Sequence, residues 1–231
     1  MCGRYSLNAS ASQVIEYYNL RYETDQIRRE FREEKEVFPT KVEPVIQDIN
    51  GSRTVIHTHW GLKNVEVNGK ILKSTVINAT FEKIKSYSKW AKGLEGNRCI
   101  IPATEYWEWS ETVPKPNNRF RMYLENHELL SFAGLNVPFK DSDGILKIGF
   151  VIVTMPANEH VSQVHHRQPG LIRKEDFDAW LDNKTTDPEK IIYRAQGKEI
   201  QFIQEVSESK KQVSKNPKVN KSKLDNNLKL F

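Results

Sequence analysis

Val65-Glu66-Val67-Asn68-Gly69-Lys70-Ile71-Leu72 decides the fold class. Asn-Gly tolerates positive φ at both central positions of a type I′ turn, and β-prone residues flank it, so the segment predicts a two-residue β-hairpin. Working outward, 44–49 and 53–60 read as extended segments. Further strands are expected near 99–101, 105–109, 119–125, 129–135 and 147–154, with 200–206 as a closing strand. Helical signals are short and scattered. Ser12 stands ahead of Val14, Ile15 and Tyr18, which share one helical face, and Thr80 reads as the cap of a helix carrying Phe81, Ile84, Trp90 and Leu94. Helices are also expected at 156–164, at 174–181 and after Asp187-Pro188-Glu189, while the charge-dense stretch 21–36 reads as surface. Hairpins without regular strand-helix alternation predict an α+β chain, antiparallel sheets in a barrel-like domain flanked by short helices.

Composition narrows the class further. The chain has 231 residues, 38% hydrophobic and 10% aromatic, which is ample for a core and excludes a wholly disordered or collagen-like protein. No apolar run approaches the roughly 18 residues needed to span a bilayer. Two cysteines, Cys2 and Cys99, make neither a disulfide framework nor a four-cysteine metal site, and the first residues lack the apolar core of a signal peptide. The expectation is a reduced, cytoplasmic protein without cofactor or metal. The formal net charge is +5, of which residues 205–231 supply +4, so the rest is nearly balanced and any polyanion site there must be local. A domain at 1–204 followed by a Lys-rich, disordered tail at 205–231 is expected.

Cys2 carries the most specific chemistry. Removal of Met1 would leave one residue bearing an α-amine, with a reference pKa near 7.7 to 8.0, and a thiol near 8.5. At neutral pH that amine is unprotonated roughly two to three orders of magnitude more often than a lysine. A 1,2-aminothiol traps aldehydes: the amine forms a Schiff base and the thiol closes a thiazolidine ring. Taken singly, Cys2 also fits an ordinary small residue, and the other polar residues below fit caps, turns and surface charges.

The combination of motifs is more specific. Met1-Cys2-Gly3-Arg4-Tyr5, Pro39, Pro44-Val45, Trp60-Gly61-Leu62, Ile77-Asn78-Ala79 with Glu82, Glu108-Trp109, Phe132-Ala133-Gly134-Leu135, Val153-Thr154 and His165-His166-Arg167-Gln168-Pro169 resemble, in order, the SOS response-associated peptidase (SRAP) family over residues 2–182. The resemblance implies a protein that crosslinks itself to abasic sites in single-stranded DNA through Cys2, with lyase-type Schiff-base chemistry, Met1 being removed either by the chain itself, as an autopeptidase, or by an aminopeptidase. It also implies a monomer that works in the DNA damage response beside replication-fork proteins. On the matched positions Asn78 would hold the opened sugar, Glu108 would handle protons in Schiff-base formation, and His165 would assist sugar opening and crosslink reversal. Arg4 and Arg167 would hold phosphates, with Pro39 and Thr154 completing the DNA contact. Dehydration of a carbinolamine needs an acid and a base, which Glu and His supply, and burial beside Trp107 and Trp109 is expected to raise the Glu108 pKa.

Departures fall on the DNA platform. Thr80 replaces a family Arg, Lys63-Asn64 and the Asn68-Gly69 hairpin replace Pro and Trp, Glu36 stands where Asn is common, and Gln168 replaces Met. Phe81, Lys63, Lys70 and Lys73 are the substitutes the sequence offers. Two other readings stay open at this stage: an N-terminal-nucleophile cysteine peptidase or amidohydrolase, and a non-catalytic binding module using the Lys-rich tail.

Overall fold

The structure, a computed structural model, describes residues 2–20, 34–67, 70–126 and 129–206. Its centre is a closed barrel. β3 (Val42–Ile49), β4 (Ser52–Trp60), β8 (Arg98–Ala103), β11 (Leu130–Lys140) and β12 (Leu146–Pro156) run in the order β11-β8-β3-β4-β12, and β11 pairs with β12 to close the ring. Closure leaves these strands without a free edge, and their alternate side chains serve two cores. Val45, Cys99, Ile101, Phe132, Phe150 and Ile152 face one cluster, while Ile46, Ile100, Ala133, Leu135, Val151 and Val153 face the other. In β8, β11 and the middle of β12, burial on both faces explains the continuous apolar runs of the sequence.

The first cluster is roofed by an open antiparallel sheet, ordered β14 (Ile200–Glu205), β10 (Arg119–Leu124), β9 (Glu105–Trp109), β1 (Tyr5–Leu7) and β2 (Glu34–Val37). Tyr5 meets the Trp60 ring at 5.0 Å across this interface, and Trp60 stacks on Phe150 at 6.2 Å. The second cluster is covered by α1 (Ala11–Tyr18), α2 (Ser88–Gly96) and α3 (Phe177–Leu181), which contribute Val14, Tyr18, Trp90, Leu94, Phe177 and Trp180. Close approach of strands sets Gly134: a Cβ there would lie 2.2 Å from Ile101 Cδ1 and 2.7 Å from Cys99 Sγ.

β12 is the spine that positions the site. Its first half pairs with β11 and, through Gly149 and Phe150, with β4; its second half holds β7 (Asn78–Thr80) on one edge and β13 (Arg167–Pro169) on the other. The pairings with β4 and β7 are parallel, an addition to the antiparallel expectation.

Several local expectations need correction. α1 is opened by Ser10, whose hydroxyl accepts the Gln13 N–H while the Gln13 side chain accepts the Ser10 N–H; Ser12 lies inside the helix. Thr80 precedes only a 3₁₀ turn at Phe81–Lys83, without a side-chain cap bond, and the helix begins at Ser88. The expected helix at 156–164 is a single 3₁₀ turn, Val161–Gln163, because Pro156 still belongs to β12 and the Asn158 side chain accepts the Val161 N–H. The segment opened by Asp187 is likewise one turn, Pro188–Ile191. Asp187 has φ 51° and its carboxylate pairs with Lys190 instead of capping. Residues 34–37 form strand β2 where only charged surface was expected. β5 (Glu66–Val67) and β6 (Lys70–Ile71) pair with Val67 opposite Lys70, the hairpin register, while Asn68-Gly69 lies outside the described residues. The tail beyond 206 also lies outside them; Glu205, assigned to it, is the last residue of β14 and lies opposite Arg119.

Candidate functional site

β1 and β9 run antiparallel with Tyr5 opposite Tyr106, and the Trp107 N–H donates to the Arg4 carbonyl at 2.9 Å, which brings the start of the chain alongside Glu108. Cys2 is 1% exposed, and its Sγ–H donates to the Arg4 carbonyl at 3.9 Å. Burial, and then the nearby Glu108 carboxylate, push the thiol far above its ordinary pKa, so it rests as a neutral thiol.

Asn78 opens β7. Its side-chain NH₂ donates to the Cys2 carbonyl at 3.1 Å, and its Oδ1 is buried without a protein partner. An acceptor and a donor on one amide are thus held against the backbone of Cys2.

Glu108 is 2% exposed, with its pKa raised to about 7 by burial, against which the positive charge of the chain's amino terminus acts. The neighbouring tryptophans are not the cause. Strand alternation turns Trp107 and Trp109 to the opposite face, where the Arg119 guanidinium lies over both rings, whereas Glu108 shares the inner face with Tyr106. His165 follows the 3₁₀ turn, and its Nε2 lies 3.8 Å from Glu108 Oε2. The Arg167 N–H lies 3.0 Å and the Arg167 carbonyl 3.2 Å from His165 Nδ1, so the backbone of Arg167 holds the ring with Nε2 facing Glu108. Burial, followed by the amino-terminal charge, lowers the His165 pKa to about 4. His166 stacks on it at 4.4 Å. The pair at neutrality is therefore a neutral imidazole beside a carboxyl poised to give or take a proton.

The two phosphate-binding candidates carry carboxylate partners. Arg4 Nη1 pairs with Glu36 Oε2 at 2.9 Å and its guanidinium lies 4.0 Å over the Phe38 ring; Glu36 also holds Arg119 at 2.6 Å. Arg167 forms a fork with Glu82 at 2.6 and 3.0 Å and donates to the Thr154 carbonyl. Thr154 is fully buried and supports Arg167 from beneath, and Pro39 sits half-buried in the turn between β2 and β3.

Cys2, Asn78, Glu108 and His165 thus converge from four separate places in the chain. Sequence reading missed Tyr5 and Tyr106, whose hydroxyls are buried without protein partners and whose ionisation is opposed first by burial, then by Glu43 at Tyr5 and Glu108 at Tyr106, and then by Cys2. Both look like ordinary strand aromatics in the sequence, and only packing sets them beside the thiol.

The family described as SOS response associated peptidase (SRAP) matches residues 1–215. The chain is 30% identical over 192 residues to the abasic site processing protein YoqW of Bacillus subtilis, covering 82% of this chain and 84% of that one. It is 26% identical over 163 residues to the abasic site processing protein HMCES of Gallus gallus, covering 60% of this chain and 48% of that one. Among solved structures, a protein from Bacteroides thetaiotaomicron superposes with TM-score 0.70 at 20% identity, over 88% of this chain and 91% of that one. A protein from Bordetella bronchiseptica gives 0.71 at 15%, over 89% and 100%. These structures share the fold.

Proposed function

The chain belongs to the SOS response-associated peptidase family, and from that we propose that it processes abasic sites by crosslinking itself, through Cys2, to the ring-opened sugar aldehyde in single-stranded DNA. The observation that carries this reading is the convergence of Cys2 and Asn78 on the Glu108–His165 pair. After loss of Met1 the Cys2 amine adds to the aldehyde carbon, giving a carbinolamine. The Glu108 carboxyl, with a pKa of about 7, protonates the departing hydroxyl, and water leaves to give the imine. The Cys2 thiol then adds to the imine carbon and its proton passes to nitrogen, closing the thiazolidine with one water released overall. In this reading Asn78 Oδ1 accepts from the amine or a sugar hydroxyl, and neutral His165 relays protons for opening of the sugar and for reversal. Arg4 and Arg167 are the phosphate contacts of this reading, exchanging carboxylate for phosphate oxygens when DNA binds.

The raised thiol pKa favours this order of events over a peptidase reaction. A cysteine that attacks a carbonyl first needs a stabilised thiolate, and burial beside Glu108 does the opposite. A neutral thiol that adds after imine formation needs no such stabilisation. Lyase-type Schiff-base chemistry is part of the proposal, and self-removal of Met1 is a separate reaction.

The test is incubation with single-stranded DNA holding one abasic site, read as a heat-stable, SDS-resistant shifted band. The wild-type chain should give the band, Cys2→Ala should give none, and intact mass should be short of one methionine. A Cys2→Ser protein with the same heat-stable yield would refute the thiazolidine, since oxazolidines hydrolyse far more readily.

A further inference from the structure

The turn between β2 and β3 carries a feature that the crosslinking chemistry does not use. Phe38-Pro39-Thr40-Lys41 is closed by the Lys41 N–H donating to the Phe38 carbonyl at 3.4 Å, with Pro39 second and Thr40 third at φ 74°. A β-branched residue at that φ is strained, and the surrounding bonds hold it there: the Thr40 N–H donates to the Trp60 carbonyl and the Trp60 N–H to the Lys41 carbonyl, both at 2.8 Å.

On one side of this turn Arg4 covers the Phe38 ring, which is still 42% exposed. On the other, Thr40 borders a cavity of about 100 Å³ lined also by His59, Lys63, Thr75 and Lys147. The one carboxylate lining it, Asp141, is already engaged: it pairs with Lys147 at 2.8 Å and accepts the N–H groups of Asp143 and Ile145. Gly61, at φ 99°, forms the floor, where a side chain would collide with Thr75 and Ile77.

We propose that this turn is a nucleotide ledge, on which an unpaired base stacks against Phe38 while a neighbouring phosphate enters the cavity lined by Thr40, Lys63 and Lys147. It rests on the reading above that the chain binds single-stranded DNA and extends that site from Arg4 to the strand flanking the lesion. The physical case is an exposed ring backed by a guanidinium, which suits any base face, next to a small cavity, with Phe139 also in its wall, where two ammonium groups outnumber one satisfied carboxylate. The ledge replaces the platform whose Arg and Trp positions this chain fills with Thr80 and Lys63-Asn64.

The experiment measures binding of the full chain to undamaged single-stranded oligonucleotide by anisotropy across a salt series, with crosslinking to abasic DNA followed separately. Phe38→Ala should weaken binding about tenfold with an unchanged salt slope, the scale of losing one stacked base. Lys63→Ala should flatten the slope of log K against log salt by about 0.7, the share of one phosphate on a single strand, and Lys147→Ala should do the same. 2-Aminopurine beside the lesion should be quenched by wild-type chain and less by Phe38→Ala. Crosslinking by wild-type chain, with Phe38→Ala and Lys63→Ala binding as wild type does, refutes the ledge and leaves the function standing. Binding that responds to both substitutions in a chain that never crosslinks supports the ledge and refutes the function. A wild-type chain that binds no single-stranded DNA overturns both.

Discussion

Glu108 and His165 are displaced from their ordinary pKa values in opposite directions by one cause, burial. The consequences for stability have opposite signs. Glu108 holds its proton in the folded state up to about pH 7, so its contribution is complete below its unfolded pKa near 4.5 and is lost as pH rises through about 7. His165 resists protonation down to about 4, so its contribution is complete above its unfolded pKa near 6.5 and is lost as pH falls through about 4. Between about pH 4.5 and 6.5 the two slopes offset one another in the wild-type chain. Glu108→Gln should therefore unmask a melting temperature that climbs with pH over that window, and His165→Ala one that declines, both measurable by thermal denaturation in a buffer series. Parallel pH profiles in the two variants would contradict the assignment. On the reaction, each substitution should slow crosslinking or its reversal by roughly 10²-fold, the usual scale for an acid or base, with His166→Ala closer to wild type.

At the scale of elements, β12 does most of the positioning. Its two edges hold β7, with Asn78, and β13, whose Arg167 backbone holds the His165 ring at Nδ1, so the geometry of the site depends on barrel closure through β11. Gly134→Ala places a methyl within 2.7 Å of both Ile101 and Cys99. It should cost roughly 1–3 kcal/mol, read as a fall in the denaturation midpoint. Gly96→Ala, at the end of α2 with nothing within 4 Å of the added Cβ, should be neutral or slightly stabilising. Ser10→Ala should cost about 1 kcal/mol by removing one half of the capping box on α1. A Gly134→Ala chain as stable as wild type would mean that the barrel yields more easily than its packing implies.

For the whole molecule, charge is divided from chemistry. Residues 207–231 hold seven lysines against Glu208 and Asp225, a net +5 equal to the entire formal charge of the chain, while the site lies before residue 206. Removal of 207–231 should weaken DNA binding at low salt and leave the saturated crosslinking rate nearly unchanged, as kinetics at saturating DNA would measure. A cut before Glu205 is a different experiment, because Glu205 pairs with Arg119 at 3.0 Å and accepts the Trp107 indole N–H. A saturated rate that collapses on removing 207–231 alone would give the tail a part in the chemistry.

The alternation of residues along the strands, the apolar runs at 99–101 and 150–153 and the ordered motifs around Cys2, Asn78, Glu108 and His165 are all local patterns, and local sequence was enough to read them as an antiparallel α+β chain of the SOS response-associated peptidase family. Short helical signals misled at 156–164 and after Asp187, because β-strand pairing and the side-chain bonds of Asn158 and Asp187 override weak propensities. Long-range contact decided the rest. Which face of β9 holds Glu108, the approach of His165 to it, the closure of the barrel through β11 and β12, and the pairing of Arg4 with Glu36 and of Arg167 with Glu82 all join residues distant in sequence. Burial and hydrogen-bond partners are properties of the packed chain, so the raised pKa values of Glu108 and Cys2 exist only once those distant segments have met.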